Sequence, residues 1–99
     1  TLQGNRKKAL HKFFESIKLY RLAKSNKDSR NLGIARCYHR IANLCTEDTS
    51  LLTRIHRKDS EEATCNWLLE RAIDYYKLSV AKRHPDYVRC IQEFKSLNK

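Results

Sequence analysis

The stretch ERAIDYYKLSVAKRHPDY, residues 70–87, combines a helical pattern of apolar residues with a proline that interrupts it. Ala72, Tyr76 and Ser79 recur at intervals of four and three residues, which places their side chains on one face of an α-helix. Pro85 lacks an amide hydrogen and crowds the turn before it, so it ends that helix and suits the first turn of another. The stretch therefore predicts two consecutive helices.

The same periodicity predicts helices along the rest of the chain. Asp59 and Glu62 have the spacing of a capping box, which would start the third helix near residue 60. We expect a break within residues 46–50, and the following residues up to 57 either continue the second helix or form a short separate one. The predicted helices span residues 6–25, 30–45, about 60–83 and 85–98.

Composition favours a single all-α domain. The chain has 99 residues, of which 40% are hydrophobic, and only two Gly and one Pro. Turn-rich β folds need more of both residues. We therefore expect four to five antiparallel helices in one domain covering residues 1–99, as a helical repeat or a small bundle. Because the chain begins at Thr1 without a methionine, we expect it to be part of a longer protein.

The four cysteines lie within helical patterns beside apolar residues, at Cys37, Cys45, Cys65 and Cys90. A disulfide framework is usual in loop-rich secreted chains, so buried thiols in the reducing cytoplasm or nucleus are the better prediction. Cys37 and His39 are two positions apart, which places them on opposite sides of a helix. This spacing does not suit a structural zinc site. We predict no metal and expect His39 at the surface.

The sequence predicts neither an enzyme nor a cofactor. Nucleophilic catalysis needs a Cys or Ser beside a positioned His and an orienting acid, and no loop or turn of the sequence brings such residues together. Glycine-rich phosphate loops are missing from the sequence as well. No apolar run approaches the length of a membrane span.

An internal similarity connects the opening stretch with the first helix. The small–aromatic–small order of Ala72, Tyr76 and Ser79 occurs 63 residues earlier, at Ala9, Phe13 and Ser16. This order, followed by a proline, resembles helix B of tetratricopeptide repeats. The second segment resembles helix A of that family at Tyr38, Ile41, Ala42 and Cys45. The chain then follows the order helix B, helix A, insertion, helix B, helix A. A second family that the helices resemble is the microtubule-interacting-and-trafficking module.

The resemblance to tetratricopeptide repeats implies a concave groove lined by the second and fourth helices. It implies a non-catalytic adaptor or scaffold domain that holds a peptide or a partner helix. Guanidinium groups donate paired hydrogen bonds to carboxylates, which favours an acidic partner. The alternative is that the same residues are ordinary solvated positions. The implied partner-binding residues are Arg36, His39, Arg40, Asn43, Arg89 and Gln92. Because fewer than three repeats rarely bury a stable core, we also expect capping by residues 46–62, neighbouring chain or a homo-oligomer.

The uneven charge supports a competing hypothesis. Residues 1–29 carry +6 of the net charge of +10, so the first helix has most of the positive field. Such a face suits phosphates, which makes nucleic-acid binding the alternative function. Phe13, Phe14 and Tyr20 fall in the apolar stripe, so they are not expected to stack on bases. An acidic protein or an anionic membrane surface would also suit these cations. The candidate nucleic-acid-binding residues are Lys7, Lys8, Lys12, Lys18, Arg21 and Lys24.

Overall fold

A computed structural model of the chain describes residues 2–24, 26–55, 63–80 and 83–98. Within these ranges the secondary structure is entirely helical, so the predicted all-α class is confirmed. Four α-helices and one 3-10 helix follow in the order α1 (Leu2–Leu22), α2 (Lys27–Glu47), the 3-10 helix (Thr49–Arg54), α3 (Cys65–Ser79) and α4 (Pro85–Leu97). None of the described helices is long and apolar enough to cross a membrane.

The predicted break after the second helix is confirmed at Asp48. This residue has an extended backbone, and its carboxylate accepts a hydrogen bond of 3.2 Å from the amide of Ser50. A short acidic side chain in this position caps the next helix, because it satisfies an amide that has no partner within the helix. The residues after Asp48 therefore form a separate 3-10 helix and do not continue α2.

The third helix is shorter than predicted at both ends. It begins at Cys65, because the hydroxyl of Thr64 accepts a hydrogen bond of 3.0 Å from the amide of Trp67 and caps the helix there. It ends at Ser79, since Val80 has an extended backbone. The predicted start near residue 60 and end near 83 are therefore wrong. The proposed capping box of Asp59 and Glu62 lies outside the described residues.

Pro85 occupies the first turn of α4, as predicted. His84 precedes it with an extended backbone, and its Nδ1 accepts a hydrogen bond of 3.2 Å from the amide of Asp86. The missing amide hydrogen of proline has no cost in a first helical turn. Asp86 adds a negative charge at the helix N-terminus, where the helix dipole favours it.

Consecutive helices are antiparallel, as predicted. The start of α1 meets the end of α2, where Arg6 forms an ion pair of 3.4 Å with Glu47. The start of α3 meets the end of α2, where the hydroxyl of Thr46 lies 3.8 Å from the thiol of Cys65. The end of α4 meets the start of α3, where the amide of Asn66 donates a hydrogen bond of 3.0 Å to Asn98.

Helices α2 and α4 lie side by side in parallel. The guanidinium of Arg36 contacts the carboxylate of Asp86 at 3.0 Å, and His39 contacts Glu93 at 2.6 Å. Both partners advance along the chain in the same direction, which fixes the parallel orientation. Helix α3 packs against both helices, so α2 and α4 form one layer against it.

The core centres on α2, which packs against α1, α3 and the 3-10 helix. Ile41, Ala42 and Cys45 are almost completely buried. In α3 the predicted packing residues Ala72 and Tyr76 are also buried. The helical pattern also predicts Trp67, Leu68, Tyr75 and Ser79 as inward. Leu68 is buried, whereas Trp67, Tyr75 and Ser79 are only half-buried, and Leu69, which was not predicted, is buried.

The central position of α2 predicts the cost of truncating it. Ile41→Ala is expected to lower the free energy of unfolding by about 2–5 kcal/mol, because the fully buried side chain leaves a cavity. Leu22→Ala is the matched control, since Leu22 is 80% exposed at the end of α1, and it should change that energy by less than about 0.5 kcal/mol. Urea denaturation of both variants measures the difference. Equal effects would contradict the described packing of α2.

Candidate functional site

A groove of about 410 Å³ lies along the contact between α2 and α4. It brings together three of the six predicted partner-binding residues, Asn43 from α2 with Arg89 and Gln92 from α4. All three are exposed, and Arg89 makes no ion pair within the described chain. The other residues that line the groove are Thr46, Leu69, Glu93, Ser96 and Leu97.

The groove combines hydrogen-bonding and apolar surfaces. The amides of Asn43 and Gln92 can each donate and accept hydrogen bonds, as a peptide backbone requires. Leu69 is buried at the groove, while Leu97 is 46% exposed and available for contact. Arg89 supplies the cation. An extended segment with one acidic and one apolar side chain would match these groups.

Arg36 and Arg40 line a different groove, of about 490 Å³, between α1 and α2. Arg36 is already paired with Asp86 of α4, whereas Arg40 makes no ion pair within the described residues. On α2 the two arginines and Asn43 follow i, i+4, i+7 spacing, so they form one exposed stripe that borders both grooves. The prediction of a single groove holding all the arginines is therefore wrong.

Gly33 of α2 and Tyr20 of α1 face each other in the groove between α1 and α2. The ring of Tyr20 lies directly over this glycine, where a Cβ atom would collide with it. Tyr20 was predicted to lie in the apolar stripe, but its side chain is 38% exposed. It covers the backbone of α2 and does not enter the core.

His39 does not lie at the surface as predicted, because it is buried and only 7% exposed. Its Nε2 lies 2.6 Å from the carboxylate of Glu93, and its Nδ1 lies 3.3 Å from the hydroxyl of Tyr76. A neutral ring with its proton on Nε2 donates to Glu93 and accepts from Tyr76. The predicted surface and groove-lining position of His39 is wrong, because α4 covers this side of α2. The residue instead links α2, α3 and α4.

The basic face of α1 is only partly available. Lys8, Lys12, Lys18 and Lys24 are exposed, while Lys7 is half-buried. Lys18 forms a loose ion pair of 3.8 Å with Glu15, which lies one turn before it. The exposed lysines could attract an anion, and the half-buried ring of Phe14 lies between Lys7 and Lys18 in one groove.

Arg21, the remaining member of the predicted set, is a structural contact. Its guanidinium donates hydrogen bonds to the hydroxyls of Tyr38, at 3.2 Å, and Tyr75, at 3.5 Å. The rings of Tyr38 and Tyr75 stack with their centroids 5.8 Å apart. The hydrogen bond with Tyr75 raises the pKa of Arg21. Arg21 thus attaches the end of α1 to both α2 and α3.

The cysteines are unpaired thiols, and three of them are buried. Burial raises the pKa of Cys45 to about 12 and the pKa of Cys90 to about 12. Burial also raises the pKa of Cys37. Cys65 differs, since it is only half-buried at the start of α3. Across the described ranges, no group of three or more His, Cys, Asp or Glu residues is arranged to hold a metal ion.

Comparisons of the chain with protein-family models, curated proteins and solved structures found no match. The resemblance to tetratricopeptide repeats therefore stays a prediction.

The two contacts between α2 and α4 should differ in strength. A double-mutant cycle of His39→Ala and Glu93→Ala is expected to give a coupling energy of about 1.5–3 kcal/mol, because the buried ring of His39 is hydrogen-bonded to the carboxylate of Glu93. The cycle of Arg36→Ala and Asp86→Ala is the control, since the Arg36 side chain is 47% exposed whereas that of His39 is 9% exposed, and it should give about 0.2–1 kcal/mol. Urea denaturation measures both. A weaker coupling for His39 than for Arg36 would contradict the described burial.

The thiols should differ in their reactivity. The thiolate is the nucleophile, and the raised pKa values of Cys37, Cys45 and Cys90 keep those residues protonated near neutral pH. Iodoacetamide should therefore modify Cys65 first in the folded chain, and the others only after unfolding in urea. Peptide mapping by mass spectrometry measures the order. Early modification of Cys45 or Cys90 would show that the core is more open than described.

Proposed function

We propose that this chain is a non-catalytic protein-interaction domain that holds a peptide of a partner protein in the groove between α2 and α4. The observation that carries the proposal is the convergence of Asn43, Arg89 and Gln92 beside an exposed leucine, Leu97. These residues come from two different helices. Their polar groups are not used in hydrogen bonds that would close the groove.

The chemistry of the groove indicates the kind of peptide. Two side-chain amides suit the main chain of an extended segment, which offers one donor and one acceptor at each residue. Arg89 suits an Asp or Glu side chain or a C-terminal carboxylate. Leu97 suits an apolar side chain. The peptide is therefore acidic and carries at least one apolar residue.

The arrangement of the helices supports an adaptor of tetratricopeptide type. In that arrangement the A helices are parallel neighbours and their exposed residues line the binding face. Helices α2 and α4 are parallel here, and α3 packs against both. The three buried, unpaired thiols support a reducing compartment such as the cytoplasm or nucleus. Self-association is compatible with the proposal, because the groove occupies only one face of the layer that α2 and α4 form.

Nucleic-acid binding is the competing function, and it would use residues outside this groove. The exposed lysines of α1, such as Lys8 and Lys12, would contact phosphates, and the affinity would fall steeply with salt. Neither lysine lines the groove between α2 and α4. Variants of the two surfaces therefore separate the two functions.

A library of displayed random peptides, selected on the purified chain at near-physiological salt, tests the proposal. The enriched peptides should contain Asp or Glu together with a large apolar residue. Arg89→Gln should weaken binding of an enriched peptide by about tenfold or more, since a charge-assisted hydrogen bond contributes about 1.5–3 kcal/mol. Lys95→Gln is the matched control, because it removes the same charge from an exposed position of α4 outside the groove. It should change the Kd by less than about twofold.

Two outcomes would contradict the proposal. Either no peptide is enriched above background, or the enriched peptides bind Arg89→Gln as tightly as the unmodified chain. A labelled oligonucleotide measured in parallel identifies the competing function. Binding that survives near-physiological salt and is lost in the double variant Lys8→Gln, Lys12→Gln would favour nucleic acid.

A further inference from the structure

A separate groove of about 420 Å³ lies between α1 and the end of the 3-10 helix. None of its residues lines the groove between α2 and α4, so the two surfaces are independent. Most of its lining comes from one face of α1. The lining residues are Lys7, Leu10, His11, Phe14, Glu15 and Lys18 from α1, with Arg54 and Ile55 at the end of the 3-10 helix.

The floor of this groove is apolar. Leu10 and Ile55 are buried, and Phe14 is half-buried between them and solvent. Covering the exposed part of Phe14 with an apolar group is favourable, because it removes apolar surface from water, whereas Leu10 and Ile55 have little surface left to cover. A ligand with only charged groups would not cover this apolar surface and would not obtain the stabilisation that its burial gives.

The rim of the groove is cationic. Lys7 and Arg54 make no ion pair within the described chain, although Lys7 also lies within electrostatic range of Asp48. Lys18 is exposed and only loosely paired with Glu15, which is the one acid among the described lining residues. The charge at the rim is therefore positive, and an acidic partner would be attracted to it.

The length of the groove suits a helical partner. Lys7, Phe14 and Lys18 lie on one face of α1, and the eleven helical steps from Lys7 to Lys18 correspond to about 16 Å at 1.5 Å per residue. A helix of three turns has a similar length and presents apolar anchors at i, i+3, i+4 and i+7. Acidic residues beside such anchors would reach the rim.

We infer that the groove between α1 and the 3-10 helix is a second docking site, which takes an acidic amphipathic helix of a partner protein. The apolar face of that helix lies on Leu10, Phe14 and Ile55. Its Asp and Glu residues bind Lys7, Lys18 and Arg54. With a peptide in the groove between α2 and α4, the chain would hold two partner segments at once.

The apolar floor separates this ligand from the other anions that the basic face could attract. A nucleic-acid duplex has phosphates at its surface and keeps its bases stacked inside, so it has no apolar group to place on Phe14. A bilayer surface is flat on the scale of this groove and would contact its rim before its floor. The combination of floor and rim therefore favours an amphipathic helix.

The test uses a fluorescein-labelled synthetic peptide with Leu at i, i+3, i+4 and i+7 and Glu at the flanking positions. A peptide of the same composition in scrambled order is its control. Fluorescence polarisation at near-physiological salt gives the Kd for the full chain and its variants. The amphipathic peptide should bind with a Kd in the micromolar range, and at least about tenfold more tightly than the scrambled one.

Two double variants distinguish binding in the groove from general attraction by the positive field of α1. The double variant Lys7→Gln, Arg54→Gln should weaken binding by about tenfold or more, since it removes two rim cations. The double variant Lys12→Gln, Lys24→Gln is the matched control. It removes the same charge from two exposed positions that do not line the groove, Lys12 in α1 and Lys24 just after it, and should weaken binding by less than about threefold. Urea midpoints of both variants verify that the fold is retained.

Several results would overturn the inference. Equal losses in the two double variants would mean that the field of α1, and not the groove, attracts the peptide. Equal binding of the scrambled peptide, or binding of neither peptide, would exclude an amphipathic helix as the occupant. Tighter binding of a single-stranded oligonucleotide or of vesicles containing phosphatidylserine, lost in the Lys7 and Arg54 variant, would assign the groove to that ligand instead. Arg89→Gln should leave the peptide Kd unchanged, so failure here is distinct from failure of the proposed function.

Discussion

The burial of Tyr76 is the constraint on which the arrangement of α2, α3 and α4 depends. Its side chain is 1% exposed, and its ring lies edge-on to His39, with centroids 6.1 Å apart, and to Tyr87, at 6.2 Å. Burial raises the pKa of Tyr76, so the hydroxyl stays protonated and can donate to His39. A buried hydroxyl requires such a partner. One side chain of α3 thus fixes where α4 lies on α2, and with it the groove between them.

Periodicity predicts which face of a helix is apolar, and for this chain it gave the fold class, the break at Asp48 and the helix start at Pro85. It does not predict which neighbour covers a polar residue. His39 shows the difference, because its polar ring suggests a surface position until α4 is placed over it and Glu93 supplies a partner. The start of α3 was predicted wrongly because of the capping residue. Thr64 provides the cap that starts the helix, yet Asp59 and Glu62 have the more familiar spacing.

The candidate site could be predicted only in part, because a groove belongs to a pair of helices. Asn43, Arg89 and Gln92 were predicted together, since they lie between the packing positions of two helices that turned out to be parallel. Arg36 and Arg40 share the exposed stripe of α2 with Asn43, but both line the groove against α1, and Arg36 is already paired with Asp86 of α4. The groove between α1 and the 3-10 helix was not predicted from the sequence. Its floor requires Ile55, which is distant in sequence and meets α1 only in the folded chain.

The distribution of acids explains why the two proposed sites would recognise their ligands differently. Asp86 of α4 pairs with Arg36, and Glu93 accepts a hydrogen bond from His39, so both carboxylates are engaged with α2 and Arg89 is the unpaired cation of that groove. Helix α1 has few acids to balance its lysines, so it keeps a positive field around an apolar floor. Amides that match a peptide backbone would give the first site its geometric selectivity. The field of α1 would give the second site a fast, salt-sensitive encounter with an acidic helix.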